Sequence, residues 1–258
     1  MGQGETNAVN DKPLLQAEKL TRSFGQLAAV QEVSFRVHKG ERRAIIGPNG
    51  AGKTTLFNLI TGKLPPSAGR ILFGGREITG LSPHVISQRG LARSFQLTNI
   101  FMDLSVYENV WLAVQSRHPK RTALLRSARR LDGLDEKTRR VLEEIGLTEH
   151  AETVAKALSY GDQRHLEIGL ALATEPQLLL LDEPTSGMSP VETRKTIELI
   201  QSVSKGLTLL LIEHDMDVVM TVSDRILVMH YGQVLADGTP DEIEKNQAVQ
   251  EAYLGGFE

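Results

Sequence analysis

The spacing of hydrophobic residues changes along the chain, and its first part has the period of β-strands. Residues 33–37 alternate between apolar and polar side chains, which is typical of a strand that buries one face. A turn at Lys39 and Gly40 leads into a second run at residues 42–47. Residues 69–78 hold two short runs around a glycine pair, which predicts a hairpin. We therefore expect a β-rich region within about residues 14–80.

The middle of the chain has the period of α-helices. Val106, Val110 and Val114 recur four residues apart, which places them on one face of a helix. A second helical pattern covers residues 134–147 and ends at a glycine, a common helix terminator. These patterns predict a helical subdomain over about residues 97–157.

The last part of the chain alternates short apolar runs with helical patterns. The apolar runs lie within residues 177–184, 206–215 and 224–232, and each is nearly continuous. Strands that read this way are buried on both faces, as in a parallel sheet covered by helices. The fold class predicted is therefore α/β, with a mostly parallel sheet.

Composition narrows the classes of protein that remain. The 258 residues are 40% hydrophobic, enough for a sizeable core, and a net charge of -3 excludes the basic field of a dedicated nucleic-acid binder. The absence of cysteine excludes disulfides and zinc–thiolate sites. The longest apolar runs, 178–181 and 207–212, are far shorter than the roughly 20 residues that cross a bilayer. Residues 1–13 are polar, and we expect a flexible tail there.

One motif carries strong chemical information. An apolar strand, the pattern G-x-x-x-x-G-K-T and a helical pattern follow one another, which is the context of a phosphate-binding loop. Backbone N–H groups of such a loop surround phosphate oxygens, the lysine approaches the β- and γ-phosphates, and the threonine hydroxyl can bind Mg²⁺. The motif consists of Gly47, Pro48, Asn49, Gly50, Ala51, Gly52, Lys53 and Thr54.

Polar residues also follow two of the later apolar runs. Asp182 and Glu183 come directly after one run, where Asp182 can reach a metal ion and Glu183 can polarise a water molecule in line with the γ-phosphate. His214 follows the next run and either hydrogen-bonds the γ-phosphate or serves only in packing or as a helix cap. Gln96, where the sheet pattern gives way to the helical pattern, reads on its own as a surface residue.

A second polar helix opening lies at residues 158–169. Ser159 offers a hydroxyl, Gly161 permits close approach of the backbone, and the helix that follows directs a partial positive charge at an anion. The alternative is that Ser159 or Asp162 simply caps this helix. From the residues alone both interpretations stay open.

These motifs together resemble the nucleotide-binding subunits of ATP-binding cassette (ABC) transporters, over residues 14–255. The resemblance implies a P-loop NTPase core with a mostly parallel sheet, an antiparallel β subdomain, a helical insert, and a C-terminal tail at about 239–258. It also implies that the protein hydrolyses ATP with Mg²⁺ as cofactor. Glu183 and His214 are then the catalytic residues. The implied metal-binding set is Thr54, Gln96 and Asp182, and the nucleotide contacts are residues 47–54 with Phe24, Thr55, Gln96, Ser159, Gly161 and Gln163.

In that family two cassettes associate head to tail, and the signature segment of one closes over the nucleotide of the other. The resemblance thus implies a second ATPase subunit, identical or a sister, together with transmembrane permeases and, indirectly, a solute-binding protein. It implies a location on the cytoplasmic face of the membrane and no nucleic-acid partner. This chain departs from the common signature at Tyr160 and Asp162, and it has Ser189 where many cassettes have aspartate.

The segments 158–168, 212–220, 236–243 and 252–256 are similar to ATPase subunits that import branched-chain amino acids, or related amides and urea. Two alternatives remain at this stage: the ATPase of a lipopolysaccharide-type exporter, and a soluble ABC ATPase without a transport role. A small-molecule kinase would share the phosphate loop but has no use for the segment 158–163.

Overall fold

The computed structural model describes residues 12–94, 100–117 and 133–254, and these build two sheets flanked by helices. The smaller sheet is antiparallel throughout, with the strand order β2-β1-β4-β5. The predicted alternation in β2 and the predicted hairpin of β4 with β5 are both confirmed. Its strands are β1 (Leu15–Phe24), β2 (Leu27–Val37), β4 (Ala68–Phe73) and β5 (Arg76–Glu77).

The larger sheet has the order β10-β9-β3-β8-β7-β6, and every neighbouring pair except β10 with β9 is parallel. Strand β3 follows β2 in sequence but lies between β8 and β9, so the chain changes sheets at the turn before Arg42. The strands are β3 (Arg42–Ile46), β6 (Leu91–Arg93), β7 (Leu178–Asp182), β8 (Thr208–Ile212), β9 (Arg225–His230) and β10 (Gln233–Gly238).

The central strands of the larger sheet are buried on both faces, as their apolar runs predict. In β7, Leu178 and Leu180 join a core shared with the antiparallel sheet and the helix after the phosphate loop. Leu179 and Leu181 point to the other face, into a core shared with the helical region. Two separate hydrophobic cores therefore pack against the opposite faces of the sheet, and they fix the position of its strand ends.

Nine α-helices occupy the described part of the chain. In the helical region Val106, Val110 and Val114 are all buried, as their spacing predicts. The α4 helix ends where Gly146 takes a φ of 71°, and the N–H of Leu147 donates to the carbonyl of Leu142 at 2.9 Å. The helices are α1 (Lys53–Ile60), α2 (Pro83–Gln88), α3 (Val106–Ser116), α4 (Leu134–Glu144), α5 (Tyr160–Leu172), α6 (Pro190–Val203), α7 (Met216–Val222), α8 (Pro240–Glu244) and α9 (Gln247–Leu254).

The predicted C-terminal tail is structured as far as residue 254. Its two helices, α8 and α9, bury Ile243 and Val249 in a third hydrophobic cluster beside β9. The predicted limits of the subdomains and of the N-terminal tail at residues 1–13 stay predictions. Within the described ranges, no helix combines the length and the apolar character needed to cross a membrane.

Candidate functional site

Three neighbouring parallel strands end at the same edge of the larger sheet, and each is followed by a predicted site residue. Strand β3 leads into the phosphate loop, β7 ends at Asp182, and β8 leads to Glu213 and His214. The register aligns these ends, because Ile212 pairs with Asp182 on one side and with Ile45 on the other. The sheet therefore brings together groups that are far apart in sequence.

The phosphate loop requires glycine at two positions for steric reasons. Gly47 has a φ of 151°, and a Cβ atom there would lie 2.2 Å from the carbonyl oxygen of Met229. Gly52 has a φ of 98°, and its Cβ would lie 2.3 Å from the carbonyl oxygen of Ala29. The loop is thus pressed between β9 and the start of β2, which holds its backbone in place.

Lys53, the first residue of α1, lies over this loop. Its Nζ donates to the carbonyl oxygens of Gly47 at 2.6 Å and Pro48 at 3.0 Å. Burial lowers the pKa of Lys53, and the negative charges of Glu183 and Asp182 oppose that shift. A positive charge is therefore held between the loop and the two carboxylates, where an anionic phosphate can replace the carbonyl contacts.

Asp182 has one carboxylate oxygen in use and one free. Its side chain is 1% exposed, and Oδ2 accepts a hydrogen bond from Nη2 of Arg93 at 2.5 Å. The Oδ1 atom is buried and has no hydrogen-bond partner among the described residues. A buried acceptor without a partner is costly, so this oxygen is suited to a cation.

Magnesium fits this arrangement. Besides the free oxygen of Asp182, the first turn of α1 supplies the exposed hydroxyl of Thr54. The described residues contain no cluster of three or more histidine and acidic side chains that could hold a metal by themselves. Magnesium bound with a nucleotide needs no such cluster, because phosphates and water provide most of its ligands.

Glu183 begins a tight turn at the edge of the sheet. It has a φ of 48°, the left-handed region that non-glycine residues rarely adopt. Its N–H donates to the carbonyl of Ile212 at 2.9 Å, and its carbonyl accepts from the N–H of Ser186 at 3.2 Å. Strained backbone of this kind often occurs where a side chain must take one direction.

Glu213 is a site residue that the sequence analysis missed. Its carboxylate is fully buried, and Oε1 accepts from both the N–H of Thr185 at 3.0 Å and its hydroxyl at 2.5 Å. The other oxygen accepts from the N–H of His214 at 3.1 Å. Glu213 thus joins the turn after Glu183 to the end of β8, while the side chain of His214 stays 63% exposed. A carboxylate at the end of a buried strand is the signal that could have revealed it.

Arg93 is a second residue that was missed. Besides Asp182, its guanidinium donates to the side chain of Asn58 at 2.8 Å and lies over the ring of Phe57, 5.6 Å from its centre. Arg93 ends the short edge strand β6, three residues before Gln96. Gln96 itself lies outside the described residues.

Phe24 lies outside the hydrophobic cores. It is 44% exposed at the end of β1, and the guanidinium of Arg22 lies 4.8 Å from the centre of its ring. Next to it in the hairpin, Ala28 pairs with Ser23, and Ala29 contacts Gly52. An exposed aromatic ring near the phosphate loop suits the predicted contact with adenine, which stays a prediction.

Ser159 is the N-cap of α5. Its Oγ accepts from the N–H of Asp162 at 3.2 Å and donates to that residue's carboxylate at 2.7 Å. In the single chain Ser159 therefore acts as a helix cap, which is one of the two interpretations open from the sequence. The amide of Gln163 donates to the carbonyls of Leu158 at 3.3 Å and Ala155 at 3.5 Å. Gln163 therefore supports the segment before the helix, and its predicted nucleotide contact stays a prediction.

Comparison with known proteins decides the family. A model described as ABC transporter matches residues 30–186, and one described as branched-chain amino acid ATP-binding cassette transporter matches residues 233–258. The chain belongs to the ABC transporter family. Membership confirms the predicted ABC ATPase fold and the predicted class of enzyme.

Individual relatives align over almost the whole length of this ABC ATPase. The high-affinity branched-chain amino acid transport ATP-binding protein BraF of Pseudomonas aeruginosa is 43% identical, over 95% of this chain and 98% of that protein. The lipopolysaccharide export system ATP-binding protein LptB of Haemophilus influenzae is 33% identical, over 94% and 97%. The crystal structure of the ADP conformation of MJ1267, an ATP-binding cassette of an ABC transporter, superimposes with a TM-score of 0.83 at 31% identity, over 95% and 99%.

Proposed function

We propose that this ABC ATPase hydrolyses ATP to power the import of branched-chain amino acids or related small solutes such as amides or urea. The observation that carries the chemistry is the convergence of the Lys53 ammonium, the free oxygen of Asp182 and the carboxylate of Glu183 at adjoining strand ends. ATP presents the matching groups, which are a phosphate chain, its bound cation and a γ-phosphate open to water.

The chain's own residues bind and orient the nucleotide. Backbone N–H groups of residues 47–55, except Pro48, surround the phosphates, and the ammonium of Lys53 leaves the loop carbonyls to pair with the β- and γ-phosphates. The ring of Phe24 stacks on the adenine. Thr54 and Asp182, with Gln96, would hold Mg²⁺, and the ion would supply positive charge to the phosphate oxygens.

Glu183 acts on the attacking water. Its carboxylate accepts the water's proton or orients the water in line with the γ-phosphate, while His214 hydrogen-bonds the γ-phosphate. Glu213 contributes without touching the substrate, because it fixes both the turn after Glu183 and the backbone of His214. This support ties the turn that carries Glu183 to the strand end that carries His214.

A second ABC ATPase subunit, a second copy or a sister chain, completes the site. Ser159 and Gly161 lie at the N-terminus of α5, which carries a partial positive charge suited to the γ-phosphate of a neighbouring subunit. The helical region contacts transmembrane permeases on the cytoplasmic face of the membrane. A solute-binding protein delivers the cargo to the permeases on the opposite face.

The choice of import over export rests on two similarities. The C-terminal match at residues 233–258 is to a branched-chain amino acid model, and identity is 43% to BraF but 33% to LptB. A lipopolysaccharide-type exporter is the second candidate, because LptB also aligns over almost the entire chain. Both of these relatives are subunits of transport systems, which favours a transport role over a soluble ABC ATPase.

The test is purification of the transporter from native membranes through a tag on this chain, followed by reconstitution into vesicles. We expect permeases to co-purify, and ATP to drive uptake of radiolabelled leucine in the presence of the binding protein. A matched preparation carrying Glu183→Gln should bind ATP without uptake. Co-purification of lipopolysaccharide-bridge components would favour export, and a chain that neither binds nor hydrolyses ATP would refute the proposal.

A further inference from the structure

Tyr160 is the departure from the common signature that the proposed mechanism does not use. It is the first residue of α5, next to the capping Ser159, and it is 45% exposed. Its ring packs toward Gly187, where an added Cβ would lie 3.6 Å from the ring. Gly187 has a φ of 78° and belongs to the loop that follows Glu183. The side chain thus faces another segment of the same chain.

A chain of two hydrogen bonds leads from Tyr160 to Glu183. The phenol hydroxyl donates to the carbonyl of Ser186 at 3.2 Å, and the N–H of Ser186 donates to the carbonyl of Glu183 at 3.2 Å. The second bond closes the tight turn in which Glu183 has its left-handed φ of 48°, and the first attaches α5 to the last residue of that turn. Loss of the first bond would loosen the turn on which the direction of the Glu183 carboxylate depends.

Arg164 orients the phenol for this contact. Its guanidinium donates to the phenol oxygen from Nη2 at 2.8 Å and from Nε at 3.2 Å, which leaves the hydroxyl proton to point at Ser186. The guanidinium also lies 5.2 Å from the centre of the tyrosine ring. A largely buried salt bridge to Glu167, 2.7 Å long, holds Arg164 in place. The position of Tyr160 is therefore fixed from both sides.

A second contact joins the same two segments. The N–H of Gly161 donates to Oε1 of Glu192 at 3.3 Å, and the other oxygen of Glu192 accepts from the N–H of Ser189 at 2.9 Å and its hydroxyl at 2.7 Å. The first turn of α5 is thus tied to the loop 183–189 directly at Ser186 and, through Glu192 of α6, at Ser189.

We propose that Tyr160 is a positioning residue that couples the two nucleotide sites of an ATPase dimer. The proposal rests on the function proposed above, in which Ser159 and Gly161 meet the neighbour's nucleotide while Glu183 acts on this chain's own. Tyr160 lies between these two sets within one chain. Closure of Ser159 on the neighbour's γ-phosphate therefore acts on the turn that directs Glu183.

The first experiment tests the coupling contact without relying on activity. Backbone hydrogen exchange is followed in the segment 183–189 of the full chain, for the wild type and Tyr160→Phe, which removes only the hydroxyl. We expect exchange there to become about 3- to 10-fold faster, the effect of losing one hydrogen bond. Tyr107→Phe is the matched control, because it removes a phenol bond to Asp135 in the helical region. Unchanged exchange in the Tyr160 variant would overturn the proposal.

The second experiment uses the transporter purified through a tag on this chain. We expect Tyr160→Phe to lower kcat about 3- to 10-fold and to bring the Hill coefficient for ATP toward 1, while the dissociation constant for ATP stays unchanged. Loss of cooperativity is a result that general destabilisation does not produce. A Hill coefficient of 1 in the wild type, or one that the variant leaves unaltered, would contradict the coupling.

Failure of this proposal differs from failure of the proposed function. If the wild type hydrolyses ATP and Glu183→Gln abolishes hydrolysis, while Tyr160→Phe behaves as wild type, only the coupling role is wrong. If Glu183→Gln also behaves as wild type, the assignment of Glu183 is wrong, and the coupling proposal falls with it.

Discussion

Arg93 donates from Nη2 to Oδ2 of Asp182 at 2.5 Å, and the two side chains are only 5% and 1% exposed. The bond joins an edge strand to its neighbour and orients the carboxylate so that its other oxygen, which is buried, has no hydrogen-bond partner within the described residues. A buried ion pair is not in itself strong evidence of stabilisation, but removal of one partner leaves a buried charge behind. The role of the ion pair here is to orient the carboxylate of Asp182.

Replacement of Arg93 should therefore be severe. We expect Arg93→Met to lower the free energy of unfolding by about 3 kcal/mol or more, as for other broken buried pairs, and to weaken the Mg²⁺ dependence of ATP binding. Denaturant titration and Mg²⁺ titration of nucleotide binding measure the two effects.

The exposed pair of Arg42 with Asp224 is the matched control for this prediction. Loss of that pair through Arg42→Met should cost less than about 1 kcal/mol. Equal losses of stability in the two variants would show that the burial of the Arg93 pair has no special importance.

Glu183→Gln should keep ATP binding and lose hydrolysis. The amide fills the same space in the strained turn but cannot take up a proton, so we expect turnover to fall by roughly 10² to 10⁴. Glu175 has a similar left-handed φ of 50° but lies at the surface beside Lys137, so Glu175→Gln is a matched control. Steady-state hydrolysis and equilibrium ATP binding are the measurements. Near-normal turnover in the Glu183 variant would assign the water-activating role to another group.

Much of this site was predictable from sequence because its parts are local. The phosphate loop is one continuous motif between a strand and a helix, and Asp182 and Glu183 follow a nearly continuous apolar run. Parallel strands that end together bring such residues to one edge. The prediction of α3 succeeded for a similar reason, since the period of its three valines specifies a buried face.

The contacts that were missed join distant segments. Arg93 lies on a strand of only three residues, too short for a periodic signal, and its partner is 89 positions away. Glu213 looks like an ordinary polar residue after a strand until Thr185 is seen to donate to it. Tyr160 could be recognised as a departure from the signature, but its contact with Ser186 depends on how α5 packs beside the loop. Side-chain partners across elements require the tertiary structure.

His165 should make stability depend on pH. Its ring is hydrogen-bonded with the hydroxyl of Thr196 at 3.1 Å between α5 and α6. Burial lowers the pKa of His165 more than the negative charges of Asp162 and Glu192 raise it, and the positive charge of Lys195 lowers it further.

The folded protein binds a proton at His165 less readily than the unfolded chain does. The contribution of neutral His165 to the free energy of unfolding is therefore complete above the unfolded pKa of about 6.5, and it is lost as pH falls through the folded pKa. We expect the wild type to lose stability below about pH 6.5 more steeply than His165→Gln does. Denaturation midpoints measured across this range test the difference. His150→Gln, at an exposed position, is the control and should follow the wild type. Parallel curves for the wild type and the His165 variant would contradict the prediction.

Ser159→Arg should separate binding from hydrolysis. Ser159 is exposed at the N-terminus of α5, and its replacement removes a helix cap worth about 1 kcal/mol without touching the phosphate loop. A bulky cation at the surface that meets the neighbouring nucleotide should prevent closure. We therefore expect hydrolysis to be abolished while the ATP affinity of the single chain stays unchanged.

Ser105→Arg is the matched control, since Ser105 caps α3 in the same way but lies in the helical region. In the isolated chain it should lose similar stability and keep ATP affinity. The decisive comparison is ATP affinity measured by titration at concentrations where the chains are single. If Ser159→Arg weakens that affinity as much as it reduces hydrolysis, the N-terminus of α5 contacts a nucleotide bound to its own chain. The head-to-tail arrangement would then be wrong for this protein.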